Sequence, residues 1–145
     1  MRAFLVGVVI AGALIGCSSS TDVSAAAKAS LDRHQALWGQ RAFSSYTFDL
    51  DLQDVSFASN VHIAVNGTTV TSVIDKSTGQ PPAVNYQYPT VDDLFATAQA
   101  TFGQKNTTLQ MDFNEQYGYP TVLVITSLTA AGPYSAHLSN FSVSP

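Results

Sequence analysis

The chain has 145 residues, a formal net charge of −4 and a pI near 5.0. This length is sufficient for one domain with a hydrophobic core. The basic residues are dispersed and form no stripe, so the sequence predicts no nucleic-acid partner. The single cysteine excludes an internal disulfide framework.

The chain begins with the pattern of a bacterial lipoprotein signal peptide. Arg2 supplies one positive charge, residues 3–16 are apolar or glycine, and Cys17 follows Leu-Ile-Gly. As a helix the apolar stretch is about 21 Å long, shorter than the roughly 30 Å of a bilayer core, and it has the length of a signal-peptide apolar region. Leu-Ile-Gly-Cys matches the lipobox, in which only a thiol accepts the diacylglyceryl group. We predict a signal peptide over residues 1–16 and lipidation of Cys17; the alternative is a buried free cysteine near an ordinary signal cleavage site.

Lipidation at Cys17 predicts where the protein is located. At least two acyl chains would be attached there, and two chains anchor a protein stably where one does not. We therefore expect a membrane-anchored lipoprotein of the cell envelope that contacts the membrane through its N-terminal lipid. Ser18, in place of an aspartate, favours the outer membrane if the host is Gram-negative. Residues 17–23 are predicted to form the lipidated cysteine and a polar tether, and residues 24–145 a single domain.

The domain is predicted to begin with a helix from Ser24 to Gln40. Its alanines favour a helix, and Gly39 marks its end. Leu31, His34 or Gln35, and Trp38 lie on one side at helical spacing. Trp38 is therefore predicted to anchor the core, in preference to stacking on a ligand.

Three strands are predicted next, over residues 44–55, 61–65 and 68–75. The first alternates between apolar and polar residues, so that one of its faces is buried. Its buried face is predicted to hold Tyr46, Phe48, Leu50 and Leu52. Asn66-Gly67 separates the second and third strands and predicts a hairpin with a type I′ turn.

The second half again predicts a helix followed by three strands. Thr90 begins the helix with a capping box in which Asp93 takes the usual place of glutamate, and Gly103 follows its end. Strands are predicted over residues 106–113, 121–126 and 137–143. The chain is therefore predicted to be α+β, with two helices packed on one face of an antiparallel sheet of about six strands.

A series of motifs spans residues 31–127. They are Trp38, Tyr46, Val65-Asn66-Gly67, Val70, Asp75, Gly79, Pro81, Thr90-Val91-Asp92-Asp93-Leu94-Phe95 and Tyr117-Gly118-Tyr119-Pro120. Their order and spacing resemble domain-of-unknown-function family 6174, which is found in small secreted or lipid-anchored bacterial proteins. The resemblance implies no activity, cofactor or catalytic residue.

The Tyr117-Gly118-Tyr119-Pro120 turn has two interpretations. Gly118 can supply a positive φ at a tight turn, and Pro120 fixes φ as the next strand begins. Tyr117 and Tyr119 can cover the end of a core with their rings while their hydroxyls stay hydrated. This structural role is favoured, and the alternative is that both tyrosines form an aromatic surface that contacts a partner.

No motif predicts a catalytic or metal-binding site. His34, His62 and His137 lie far apart in sequence without a cysteine partner, and His62 should face the wetter side of its strand. A Gly-x-Ser-x-Gly elbow and a phosphate-binding loop are both absent. We therefore predict no catalytic residue, no metal ligand and no cofactor.

The densest acidic cluster is Asp49, Asp51 and Asp54, of which the first two share a strand face. The favoured interpretation is a solvated face. The alternatives are weak Ca²⁺ binding or a general acid–base pair.

Three functional hypotheses follow from these patterns. The leading one is a non-enzymatic, lipid-anchored envelope domain that binds a protein or another envelope component through its exposed sheet face or the turn around Tyr117 and Tyr119. The second is an enzyme or metal-dependent module that uses the Asp49/Asp51 face with a histidine. The third is a purely structural envelope protein.

Overall fold

A computed structural model describes residues 20–127 and 132–144 of the protein. The predicted signal peptide, the Cys17 lipidation site and the two serines after Cys17 lie outside the described residues. Within the described residues, no helix combines the length and the apolar character that a membrane crossing requires.

Each half of the described chain contains a helix followed by three strands. The elements are α1 (Ser20–Gly39), β1 (Ser45–Asp54), β2 (Phe57–Asn66), β3 (Thr69–Asp75), α2 (Val91–Thr101), β4 (Thr107–Phe113), β5 (Pro120–Ser127) and β6 (Tyr134–Val143). α1 begins four residues before its predicted start, at positions that the sequence predicted as tether. β2 and β6 also begin earlier than predicted, at Phe57 and Tyr134.

The six strands form one antiparallel sheet in the order β3-β2-β1-β6-β5-β4. Two three-stranded meanders therefore meet at the centre, where β1 pairs with β6. Both helices contribute to a single core against one face of this sheet. The predicted α+β fold, with two helices on one face of a six-stranded antiparallel sheet, is confirmed. We call the opposite face, which holds Thr47, Asp49 and Asp51 of β1, the helix-free face.

The core is formed by the side chains that the sequence periodicity selects. In β1 the four predicted inward residues Tyr46, Phe48, Leu50 and Leu52 are all fully buried. In α1, Leu31, His34 and Trp38 lie at helical spacing and are buried as well. Trp38 makes edge-on ring contacts with Tyr46 and Phe141, so its predicted role as a core anchor is confirmed.

The N-terminus of α2 is capped in two ways. Thr90 accepts a hydrogen bond from the backbone of Asp93, and the Asp93 carboxylate accepts one from the backbone of Thr90, which confirms the predicted capping box. The buried hydroxyl of Tyr46 also accepts a hydrogen bond from the backbone of Val91 at 3.3 Å. Burial, above all, raises the pKa of Tyr46 to about 12. This phenol therefore remains neutral and ties α2 to β1.

The turn between β2 and β3 corrects one prediction. Asn66 still pairs with Thr69, so the two turn residues are Gly67 and Thr68. Only Gly67 has a positive φ, of 63°. A type I′ turn needs a positive φ at both central residues, whereas type II′ needs it only at the first. The hairpin prediction is confirmed and the type I′ prediction is wrong, because the pairing extends one residue further than Asn-Gly suggested.

Candidate functional site

A hydrogen-bonded cluster surrounds Asp49 on the helix-free face. Oδ1 of Asp49 lies 2.7 Å from Nδ1 of His62, while Oδ2 accepts hydrogen bonds from Nζ of Lys76 at 2.5 Å and from Nδ2 of Asn140 at 2.8 Å. Asp49 is only 7 % exposed, although no helix covers this face within the described residues. Its partners therefore cover the carboxylate.

Three different strands position these partners. His62 lies directly opposite Asp49 in the β1–β2 pairing. Lys76 directly follows β3, where its backbone N–H donates to the carbonyl of Asn60 at 3.0 Å. Asn140 lies in β6 at a register shift against β1 and has a φ of 50°, which asparagine tolerates better than most residues. This irregularity places the Asn140 amide beside Asp49.

These contacts keep Asp49 ionised. Burial alone raises the pKa of Asp49, but hydrogen bonds from Lys76, Asn140 and His62 outweigh this effect and lower the pKa to about 2. A carboxylic acid with this pKa is a poor proton donor at neutral pH. The arrangement is suited to holding β1, β2, β6 and the end of β3 together.

The remaining sequence candidates lie apart from this cluster. Asp51 is exposed and pairs in register with His137 of β6 and Asn60 of β2. His34 belongs to α1, where its ring stacks on Phe113 at 4.2 Å and Nδ1 lies 2.8 Å from the carbonyl oxygen of Ser30. Among residues 20–127 and 132–144, no group of three or more His, Cys, Asp or Glu side chains is arranged to hold a metal ion.

The Tyr-Gly-Tyr-Pro segment forms a tight turn before β5. The N–H of Gly118 donates to the carbonyl of Asn114 at 2.8 Å, and the N–H of Asn114 donates to the carbonyl of Tyr119 at 2.9 Å. The side-chain oxygen of Asn114 also accepts a hydrogen bond from the N–H of Tyr117 at 2.8 Å. Gly118 has a φ of 83°, so the predicted positive φ is confirmed.

Gly118 also allows this turn to pack closely on α1. A Cβ atom at position 118 would lie 2.3 Å from the carbonyl oxygen of His34 and 3.1 Å from Cβ of Leu37. No side chain fits into this space without displacing the helix backbone. The glycine therefore determines how closely the turn approaches the C-terminal half of α1.

The two tyrosines of the turn have different environments. Tyr119 is 8 % exposed and stacks on Phe141 at 4.3 Å. Tyr117 is half-buried, with its ring edge-on to Phe43 at 5.3 Å. Of the predicted pair, Tyr117 therefore presents surface to solvent, while Tyr119 belongs to the core.

Tyr117 lines a surface cleft of about 440 Å³ between the end of α1 and this turn. We call it the Tyr117 cleft. It is lined by Leu37, Gln40, Arg41, Ala42, Phe43, Gln116 and Tyr117. Sites for small molecules are commonly about 300–1,000 Å³, with apolar and aromatic walls and a few polar groups. The Tyr117 cleft has this size and composition.

Arg41 forms a rigid wall of the cleft. Its guanidinium lies 4.1 Å from the centre of the Trp38 ring. One terminal nitrogen donates to the Trp38 carbonyl at 3.0 Å and the other to the Asp92 carboxylate at 3.2 Å. Asp92 also accepts a hydrogen bond from the Trp38 indole at 3.1 Å. The charge of Arg41 is thus balanced, and the amides of Gln40 and Gln116 remain as polar groups at the rim.

The sequence identified Tyr117 but not the other walls of the cleft. Phe43 lies in the short connection between α1 and β1. A large aromatic residue in such a connection is a local sign that its side chain covers the end of a core, and Phe43 could have been found in this way. Leu37 and Gln116 carry no distinguishing pattern. Sequence reasoning also missed Lys76 and Asn140 at the Asp49 cluster. Only strand pairing brings these two residues near Asp49.

Comparison with known proteins gives one result. A family model described as a family of unknown function, DUF6174, matches residues 30–143. No curated protein matches the chain. The family that the sequence motifs resembled is thereby confirmed.

Proposed function

The chain belongs to the DUF6174 family, whose function is unknown, and we propose that this protein is a non-enzymatic binding module held at the cell envelope by a lipid on Cys17. The Tyr117 cleft carries the binding part of this proposal. The lipobox sequence supports the anchoring part.

The chemistry of the cleft favours a segment of a protein partner. Phe43 and Tyr117 offer aromatic surface for an apolar side chain, and aromatic residues are enriched at the centres of protein interfaces. The amides of Gln40 and Gln116 can both donate and accept hydrogen bonds, as an extended backbone requires. Because Arg41 is already held by Trp38 and Asp92, this wall needs little ordering when a partner binds.

The position of the cleft also suits a tethered domain. α1 contains 20 residues and begins three positions after Cys17. A helix of this length spans about 30 Å, and the cleft lies at its C-terminal end. An anchor on Cys17 would therefore have the length of α1 between the lipid and the cleft.

The Asp49/Asp51 face supports an enzyme less well. Asp49 is bound by three partners and has a pKa of about 2, so it is poorly suited to act as a general acid. Asp51 is exposed to solvent on the helix-free face. We therefore favour binding over catalysis.

The anchor can be tested by metabolic labelling with radioactive fatty acid in the native host. Cys17→Ser should lose the label and accumulate as an unprocessed precursor. Ser18→Ala is the matched control and should be labelled like the wild type. Equal labelling of the Cys17→Ser protein would contradict the anchor.

The cleft can be tested by photo-crosslinking in intact cells. A benzoylphenylalanine at position 117 should capture a partner, whereas the same probe at the exposed Thr108 on the helix-free face should not. Ala42→Trp should fill the cleft and abolish capture from position 117, and Thr108→Trp should leave it unchanged. Capture that is insensitive to Ala42→Trp, or equal from both probe positions, would refute binding in the cleft.

A further inference from the structure

A second pocket, of about 250 Å³, lies between β6 and the segment that precedes α2. Three tyrosines line it: Tyr86 and Tyr88 from that segment, and Tyr134 at the start of β6. Asp93 and Thr97 line it from the first two turns of α2, and Gln87 and Pro89 contribute from the preceding segment. The pocket shares no lining residue with the Tyr117 cleft.

The aromatic walls are held in place by other contacts. The rings of Tyr86 and Tyr88 are 5.1 Å apart and inclined at 71°, so they form a corner. Phe57 stacks on Tyr86 at 4.6 Å, and a hydrogen bond of 2.9 Å joins the Tyr88 hydroxyl to Ser59. The corner therefore exists before any ligand enters.

The pocket has a negative environment. Asp93 is its charged lining residue, and among the described residues no lysine, arginine or histidine contributes to the lining. Only Oδ2 of Asp93 is used by the capping box, where it accepts hydrogen bonds from the backbone and hydroxyl of Thr90. Burial, followed by nearby groups that include Asp54, raises the pKa of both Tyr86 and Tyr134. The phenols thus remain neutral, and the Asp93 carboxylate is the charged group that lines the pocket with them.

We propose that this pocket binds a small organic cation of the quaternary ammonium type, with Tyr86, Tyr88 and Tyr134 as an aromatic cage and Asp93 as the counter-charge. Ring faces carry partial negative charge and attract cations, and a methylated ammonium is the cation that such cages bind best. A quaternary ammonium has no N–H donors and requires no hydrogen-bond acceptors. Aromatic rings and one carboxylate are therefore sufficient to bind it. The volume of about 250 Å³ is large enough for a headgroup of this kind.

The proposal is tested with a pair of probes that differ in one charge. The full chain, in a neutral detergent and at constant ionic strength, is titrated with choline and separately with its neutral isostere 3,3-dimethylbutan-1-ol, and amide chemical shifts are followed by NMR. Choline should bind at least about tenfold more tightly than the isostere, on the order of 1 kcal/mol or more, with shifts centred on residues 86–88, 93 and 97. Equal affinity of the two probes, shifts centred elsewhere, or no choline binding up to 100 mM would overturn the proposal.

Substitutions distinguish the contributions of the aromatic ring, the hydroxyl and the carboxylate to choline binding. Tyr134→Leu should weaken choline binding about tenfold, while Tyr134→Phe, which keeps the ring, should bind within about twofold of the wild type. Asp93→Asn should weaken choline binding but not binding of the isostere. If Tyr134→Leu does not fold, Tyr86→Leu provides the same comparison. A Leu variant that folds and binds choline as the wild type does would refute the cage.

A third titration distinguishes two sources of the same cation. Vesicles of phosphatidylcholine present the headgroup on a membrane, and vesicles of phosphatidylglycerol provide the control. Shifts at residues 86–97 with the first vesicles only would assign the pocket to a lipid headgroup. Shifts with free choline but with neither vesicle would assign it to a soluble cation.

Discussion

Replacement of Gly118 by alanine examines the contact that forms the Tyr117 cleft. The φ of 83° at this position is unfavourable for any residue with a Cβ, at about 1–2 kcal/mol. The added Cβ would also lie 2.3 Å from the His34 carbonyl oxygen, which belongs to a helix backbone and cannot rotate away. Overpacking of this kind costs about 1–3 kcal/mol. We therefore expect Gly118→Ala to lower the free energy of unfolding by about 2–5 kcal/mol.

Gly103 provides a matched control for the backbone strain. Its φ is 78°, nearly the same as that of Gly118, but a Cβ there would meet nothing within 4 Å. Gly103→Ala should therefore show the strain alone, about 1–2 kcal/mol. The difference between the two variants measures the contact between the turn and α1.

Urea denaturation of the purified variants, followed by circular dichroism, gives both free energies. Thermal melting gives a second reading, since 1 kcal/mol corresponds to about 4 °C for a domain of this size. If Gly118→Ala were no more destabilising than Gly103→Ala, the turn would not pack on α1 as described. The Tyr117 cleft would then lose one of its two walls.

Two further predictions concern stability. The folded-state pKa of Asp49 is about 2, below the ordinary aspartate value of 3.8, so its ionised form contributes stability above pH 4 that is lost as the pH falls through 2. Asp49→Asn should therefore lower the free energy of unfolding by about 2 kcal/mol at pH 7 and by progressively less between pH 4 and pH 2. The control is the exposed Asp51→Asn, which should have little effect on stability. If the destabilisation by Asp49→Asn did not change with pH, the ionised cluster would be contradicted. Thr90→Ala should cost about 1 kcal/mol through loss of the α2 cap, and an unchanged urea midpoint would show that the cap is not needed.

Local patterns determined much of the fold. The alternation in β1, the helical spacing of Leu31 and Trp38, and the capping box at Thr90 each depend on residues within a few positions of one another. Such residues carry their own signal, because a strand or helix face is set by a period of two or 3.6 residues. The same reasoning located the Tyr117 turn and the positive φ of Gly118.

The sites depended on pairing between distant parts of the chain. Asp49 lies 91 residues from Asn140, and they meet because β1 pairs with β6 and the register shifts beside Asn140. The alternation of apolar and polar residues does not indicate which strands are neighbours. Any two strands with this alternation present similar backbone hydrogen-bonding groups to each other.

The sequence by itself determined the class of fold, the buried faces and the lipobox pattern at Cys17, all of which depend on neighbouring residues. Only the tertiary structure decided that Asp49 is bound by Lys76 and Asn140, that Tyr117 faces a cleft while Tyr119 is buried, and that Tyr134 joins Tyr86 in a second pocket. The physical reason is the same in each case. These arrangements follow from packing and strand pairing across the whole domain, and the free energy that selects them arises only once the core has formed.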